Sequence, residues 1–233
     1  MKLIVIGGGC FGTIQTGRLL KAMERGAIDR ATVVIVDRNS DPPARKEFGM
    51  MKDVEFAKSD WFDYLRAYFQ GDGRSAGDQI IPAHIAPHLL FEVAASAIHE
   101  GTGRKVEPEP VGKEFNLPFE KEGAGSVRYI SAAAWLCPFA CIEPDVCPAT
   151  RGPRSWDLSS LVPKVMGDSV DASIVFKTTH FAWGVGTIPC DLISSSYDSV
   201  IGMVNGADSG RIFHVAVATT SNCHGVVGRL KIQ

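Results

Sequence analysis

Cys137, Cys141 and Cys147 fall in a C-x3-C-x5-C arrangement within the stretch Cys137-Pro138-Phe139-Ala140-Cys141-Ile142-Glu143-Pro144-Asp145-Val146-Cys147-Pro148. Its prolines, continuing to Pro153, interrupt it too often for a helix or a strand. Such a loop builds little core, and its thiols can converge on one centre, as thiolates do for zinc or an iron–sulfur cluster. Pro138 and Pro148 each follow a cysteine directly. A tetrahedral centre then lacks one ligand, which Cys190, Cys223, His180 or His224 would have to supply. The alternative is three small apolar thiols packed in a rigid loop. His180 and His224 are also the candidates for proton transfer, because imidazole titrates near neutral pH. The hydroxyl- and amide-rich runs beside them, Thr178-Thr179 and Thr219-Thr220-Ser221-Asn222, suit a polar small-molecule substrate or simply tie down loops. His84, His88 and Glu92 recur at intervals of four, which on one helix would align three ligands. Pro87 opens a helix after His84, so the spacing reads instead as helix-start histidines beside a solvated glutamate.

A second pattern lies at the start of the chain. The apolar run Leu3-Ile4-Val5-Ile6 reads as a buried parallel strand, and Cys10 to Met23 reads as a helix. Between them Gly7, Gly9 and Gly12 fill G-x-G-x-x-G in the context that gives it meaning. Gly7 permits a tight turn, Gly9 lets a pyrophosphate approach the backbone, and Gly12 lets helix and strand lie close. The helix N-terminus offers N–H groups and partial positive charge to phosphate. The run Ala31 to Val36 is another buried strand, and it ends in Asp37, about two dozen residues past the glycines. On these residues the first hundred or so resemble the Rossmann-fold NAD(P)-binding superfamily. The resemblance implies pyrophosphate on Gly7, Gly9 and Gly12 and adenosine ribose on Asp37. Arg38 would admit a 2′-phosphate, but Asp37 would repel one, so NAD is expected over NADP. A redox centre on the cysteines would have an obvious use beside a nicotinamide, which favours iron–sulfur over zinc.

The elements that must position these groups follow from periodicity. Asn39 to Lys46 reads as a loop, Val54 to Lys58 as a non-central strand, and Ser59 to Phe69 as a capped helix. Gln79 to Pro82 is a short strand and Pro87 to Ile98 a helix. Strands are also expected over Ser126 to Leu136, Ala172 to Phe176 and Ile212 to Ala218, with helices over Trp156 to Met166 and Asp191 to Val204. Gly225 to Ile232 reads as a hairpin partner. The expected fold class is α/β: a doubly wound, mainly parallel Rossmann-like sheet with helices on both faces and an antiparallel C-terminal strand pair. Residues 1–100 form the dinucleotide-binding half. Residues 101–125, dense in Glu, Lys, Pro and Gly, read as a long polar loop of low order. Residues 126–233 form a second half, with the cysteine loop, that continues the same domain. If all the strands run parallel in one sheet, Gly7, Asp37, Cys137, His180 and Cys223-His224 share one edge.

Composition sets the outer limits. The 233 residues suffice for a large core, with 45% hydrophobic and 21% charged residues. A net charge of −2 gives no reason to expect nucleic acid or an anionic membrane as partner. No apolar run reaches the length of a membrane span. The first strand begins at Lys2, leaving no room for a signal peptide, so a cytoplasmic location with six reduced cysteines is expected. The sequence carries no nucleophile elbow, P-loop, zinc-protease motif or nucleic-acid module. The reading is an NAD(P)-dependent oxidoreductase acting on a small molecule, with homo-oligomerisation left open. The rival readings are a non-enzymatic NAD-sensing module and a metal-binding or electron-transfer subunit.

Overall fold

The computed structural model describes residues 1–71, 73–82, 86–138 and 141–233; His84 lies outside them. The chain is α/β and divides into two compact units, residues 1–86 with 179–193, and residues 87–178 with 194–233. In chain order the first elements are β1 (Lys2–Ile6), α1 (Cys10–Glu24), β2 (Thr32–Asp37), α2 (Pro43–Phe48), β3 (Val54–Lys58) and α3 (Trp61–Gln70). Then come β4 (Gln79–Ile81), α4 (Leu89–Thr102), β5 (Val106–Glu109), β6 (Phe119–Glu122), β7 (Val127–Ser131) and α5 (Leu158–Met166). The chain ends with β8 (Ala172–Lys177), β9 (Thr179–Ala182), β10 (Val185–Pro189), α6 (Cys190–Asn205), β11 (Phe213–Thr220) and β12 (His224–Ile232).

Among the described residues the first unit holds a six-stranded sheet in the order β3-β2-β1-β4-β10-β9. β1 to β4 run parallel, and β10 joins β4 antiparallel, with Ile188 opposite Ile80. One face packs Leu3, Val5, Val33, Ile35 and Ile81 against Leu19 of α1 and Phe48 of α2. The alternate residues Ile4, Ile6, Val34 and Val36 are buried too, as period-two alternation requires of a sheet covered on both sides. α3 starts sharply because the Asp60 carboxylate accepts from the Phe62 and Asp63 N–H groups. That cap stands one residue past the expected Ser59. The hairpin of β9 and β10 escaped the sequence reading, since Thr179 to Pro189 is short and mixed in polarity.

The second unit builds a sheet of its own, so the expectation that it continues one mainly parallel sheet is corrected. Its order is β6-β7-β12-β11-β8, and only β8 and β11 run parallel. β12 pairs β7 along its first half and β5 along its second. The antiparallel pair of β11 and β12 is the expected C-terminal hairpin. α5 covers one face, where Leu158, Val162 and Met166 meet Ala216, Ala218 and Val227. α4 also packs on this sheet, with the Phe91 ring against Gly228, where a Cβ would stand 2.4 Å from the ring.

The polar stretch 101–125, expected as one long loop, carries regular structure. It supplies β5 and β6 and buries Val111 and Phe115. Its charges find partners: Arg128 pairs with Glu120 and Glu122, and Arg229 and His214 both engage Glu109. Backbone pairing does not depend on side-chain polarity, and charged residues are what an edge strand such as β6 carries. No helix among the described residues is long and apolar enough to cross a membrane.

Candidate functional site

In the first unit the glycine turn is built as its spacing demands. Gly7 has φ +90° and donates its N–H to Val36 O at 2.8 Å. A Cβ on Gly12 would stand 1.8 Å from Gly7 O, so only glycine lets α1 lie this close to the turn. Gly9 is the α1 N-cap and has nothing within 4 Å of where its Cβ would be. No side chain caps α1 and its first turn holds no acid, which keeps the end of the helix suited to an anion. The Asp37 carboxylate turns onto the glycines, with Oδ2 accepting from Gly8 N at 2.7 Å and Oδ1 from Asn39 N at 2.8 Å. Carboxylate oxygens have further lone pairs for a ligand hydroxyl. Arg38 pairs with Asp60. α2, unforeseen because of its two prolines, docks on the turn through Ala44 N to Gly8 O at 3.0 Å.

His180, also in the first unit, is exposed on β9, and its Nε2 accepts from Gly184 N at 3.1 Å. Its visible task is to staple the β9–β10 turn. Cys190 begins α6 beside Tyr68 and Asp78, where burial pushes its thiol up to about 12.

In the second unit the sequence-distant residues come together. Cys137, Cys141, Cys147 and Cys223 line one cleft, walled by Trp135 and by the prolines of the loop. Register explains half of this: β7 and β12 set His224 opposite Ser131, so the segment after β7 runs beside the turn before β12. His224 Nδ1 lies 3.0 Å from Ser131 Oγ, and its Nε2 lies 3.3 Å from Cys137 Sγ. The Ser131 hydroxyl donates to Ala133 O, so on this arrangement His224 Nδ1 and the thiol complete a chain of polar contacts.

The cysteine loop is held by backbone and ion contacts in place of regular structure. Cys147 N donates to Gly152 O at 2.9 Å, Arg151 N to Cys147 O at 2.8 Å, and Arg154 N to Asp145 O at 2.7 Å. The Glu143 carboxylate clamps the 222–224 turn, accepting from Asn222 N at 2.7 Å and Cys223 N at 3.2 Å. The Trp156 indole N–H donates to Cys223 Sγ at 3.2 Å, and its ring stands edge-on to Trp135 at 6.1 Å.

Electrostatics divides the thiols. Burial first, then the neighbouring Cys141, pushes Cys137 up, while the Trp135 N–H works the other way. Burial pushes Cys223 up to about 11 against the Trp156 bond. Cys147 is lowered, chiefly by the Thr150 backbone N–H and also by that of Ala149. Burial lowers His224, opposed by Glu143.

The five groups expected on one sheet edge therefore belong to two separate sheets: Gly7, Asp37 and His180 to the first unit, Cys137 and Cys223-His224 to the second. Within the second unit, Cys137, Cys141 and Cys147 do share a cleft. As the side chains stand, no three His, Cys, Asp or Glu among the described residues are gathered tightly enough to hold a metal ion. Sequence reasoning missed Glu143, Ser131 and Trp156. Glu143 stood in plain view within the cysteine stretch, but its partners are backbone groups 79 and 80 positions away, which no local pattern reveals.

An α/β chain with a glycine turn on one unit and a cysteine-lined cleft on the other is the class that fold and sites define. Residues 86–233 match the AF_1314_C family, described as an uncharacterized protein's C-terminal domain, and the chain belongs to that family. It is also 24% identical over 248 aligned positions to an uncharacterized protein of Archaeoglobus fulgidus, an alignment that spans 98% of either chain. No solved structure matches it.

Proposed function

We propose that the chain is an NAD-dependent oxidoreductase whose first unit holds the dinucleotide. The observation that carries this reading is the 2.7 Å bond from Gly8 N to Asp37 Oδ2, which joins the acid after β2 to the glycine turn after β1. Pyrophosphate and ribose are neighbours in a dinucleotide, so their recognition groups must be neighbours as well. The parallel order β3-β2-β1-β4 supports a Rossmann-like winding, because it matches the first four strands of that fold's 3-2-1-4-5-6 order. Gly9, open on its Cβ side, and the uncapped α1 N-terminus fit a phosphate.

NAD, when bound, supplies hydride transfer. The chain's own residues bind and orient: the α1 N-terminus takes the pyrophosphate and Asp37 the ribose hydroxyls. Asp37 also disfavours the 2′-phosphate of NADP. Within the second unit Ser131 fixes the orientation of the His224 ring, and an imidazole so held suits proton transfer.

Calorimetry on the full chain tests the reading. NAD or NADH should bind more tightly than NADP, and Asp37→Ala should weaken NAD and narrow that gap. A folded wild type that binds neither nucleotide overturns it. Tight binding without turnover on a panel of alcohols, aldehydes and hydroxy acids would mark the non-enzymatic sensing module instead.

A further inference from the structure

We propose that Cys137, Cys141, Cys147 and Cys223 form a four-thiolate site for a thiophilic metal centre, either a zinc ion or an iron–sulfur cluster. The inference uses only the second unit and stands whether or not a dinucleotide binds the first. Four of the chain's six cysteines line a single cleft, and the fourth comes from the β11–β12 turn, far from the other three in sequence. Of the ligands the sequence left open, Cys223 lines the cleft with these three, His224 touches Cys137 at 3.3 Å from outside that lining, and Cys190 and His180 belong to the first unit.

Three of the sulfurs already receive N–H donors. Glu143 N donates to Cys141 Sγ at 3.4 Å, Trp156 Nε1 to Cys223 Sγ at 3.2 Å, and the Ala149 and Thr150 backbone N–H groups reach Cys147 Sγ. A neutral thiol is a weak acceptor and needs no such set, whereas a metal-bound thiolate in a partly buried site is stabilised by it. Arg154 also lines the cleft and brings positive charge to a site that would gather four thiolates.

The loop has a deficit that such a centre would fill. Between β7 and α5 it contains neither helix nor sheet strand among its described residues, and it leaves Leu136 99%, Ile142 50% and Val146 58% exposed. Apolar burial alone is a poor account of its ordered path, and a centre that joins four points of the loop and the turn would fix it. The sulfurs are not yet gathered about one point, so loading requires the side chains to rotate into the cleft. Each ligation replaces an S–H bond with an S–metal bond and releases one proton to solvent, with no change in the oxidation state of sulfur.

The test is metal and acid-labile sulfide per full-length chain after anaerobic purification. If the protein emerges without metal, it is exposed to Zn2+ alone, or to an equimolar mixture of Fe2+ and Fe3+ with sulfide, which supplies the iron oxidation states of a cluster without an added oxidant. The expected result is about one zinc without sulfide, or iron with matching sulfide and a broad visible absorption. Cys147→Ser and Cys223→Ser should each retain at least tenfold less metal, whereas the exposed Cys10→Ser should retain it fully. Because either cleft variant could fail to fold, wild type is also alkylated in the native state. Loaded protein should shield the four cleft thiols, and a chelator should expose them. No metal uptake by folded wild type under either condition overturns the proposal, as does full retention by Cys223→Ser. Thiols shielded without metal and released only by reductant also overturn it, because they are disulfides.

Discussion

Gly8 N and Asp37 Oδ2 lie 2.7 Å apart, so one carboxylate serves both the glycine turn and the end of β2. Removing it should therefore have two effects. Asp37→Ala should weaken NAD roughly 10- to 100-fold, the equivalent of losing about 1.5–3 kcal/mol from hydrogen bonds to a charged group. It should also lower the melting temperature, since Gly8 N and Asn39 N both lose an acceptor. Calorimetry read beside a melting curve separates the two effects. An unchanged nucleotide affinity with a lowered melting temperature would leave Asp37 as a brace alone.

Gly9 and Gly12 should respond to the same methyl group for different reasons. At Gly12 the added Cβ meets backbone at 1.8 Å and nothing flexible can yield, so Gly12→Ala should cost at least about 1–3 kcal/mol in denaturant unfolding. At Gly9 the Cβ enters open space, so Gly9→Ala should cost only the N-cap advantage of glycine over alanine, about 0.5–1.5 kcal/mol. Yet Gly9→Ala should still weaken nucleotide binding, because the methyl stands where a phosphate would approach. If both variants bind NAD as wild type does, the turn is only a structural joint.

Much of the first unit was legible because local rules agree there. Leu3 to Ile6 and Val33 to Val36 are buried on both faces, and that condition writes an unbroken apolar run into the sequence. The glycine spacing then fixes the turn between them. The second unit was less legible for a physical reason. Its cleft is made by the pairing of β12 with β7 and by the reach of Glu143 to Asn222, contacts that leave no period behind. The stretch 101–125 reads as a loop on charge density alone, whereas it carries β5 and β6, and Glu120 accepts from the Phe115 and Leu117 N–H groups, tying the stretch to itself.

Asp78 makes a pH-dependent contribution in the first unit. Fully buried, it accepts from Lys2 N at 2.6 Å, the Tyr68 hydroxyl at 2.6 Å and Ser75 N at 3.0 Å. Burial alone would raise its pKa, but the Tyr68 hydroxyl and the two backbone donors outweigh it and hold the carboxyl below the usual range. A carboxyl depressed on folding stabilises the fold above its unfolded value of 3.8, and that stability is lost as pH falls through the depressed folded value. Acid unfolding of wild type should thus show a component below about pH 4. Tyr68→Phe should remove part of it and cost about 1–3 kcal/mol at neutral pH. A pH–stability curve for the variant that parallels wild type below pH 4 would exclude Asp78 as its source.

Glu143 should matter more to the second unit than its exposed neighbourhood suggests. It sits at φ +52°, a left-handed conformation that costs a non-glycine residue about 1–2 kcal/mol, so the chain accepts strain to aim this carboxylate. What it gains is a clamp: Oε2 on Asn222 N and Oε1 on Cys223 N. Glu143→Gln keeps one acceptor oxygen but turns an amide N–H2 toward one of the two donors, and should cost about 1.5–3 kcal/mol. Glu143→Ala loses both bonds and keeps the strained backbone, so it should be the worst of the series. Glu143→Gly loses the same bonds but relieves the strain, so it should recover about 1–2 kcal/mol relative to alanine. The order Glu, Gln, Gly, Ala in denaturant stability, with faster amide exchange at Asn222 and Cys223 in the last two, would show that the carboxylate holds the turn against the cysteine loop. Equal stability across the series, with both amides still protected, would mean that the turn is held by the Ser221 hydroxyl and the pairing of β11 and β12 without the carboxylate.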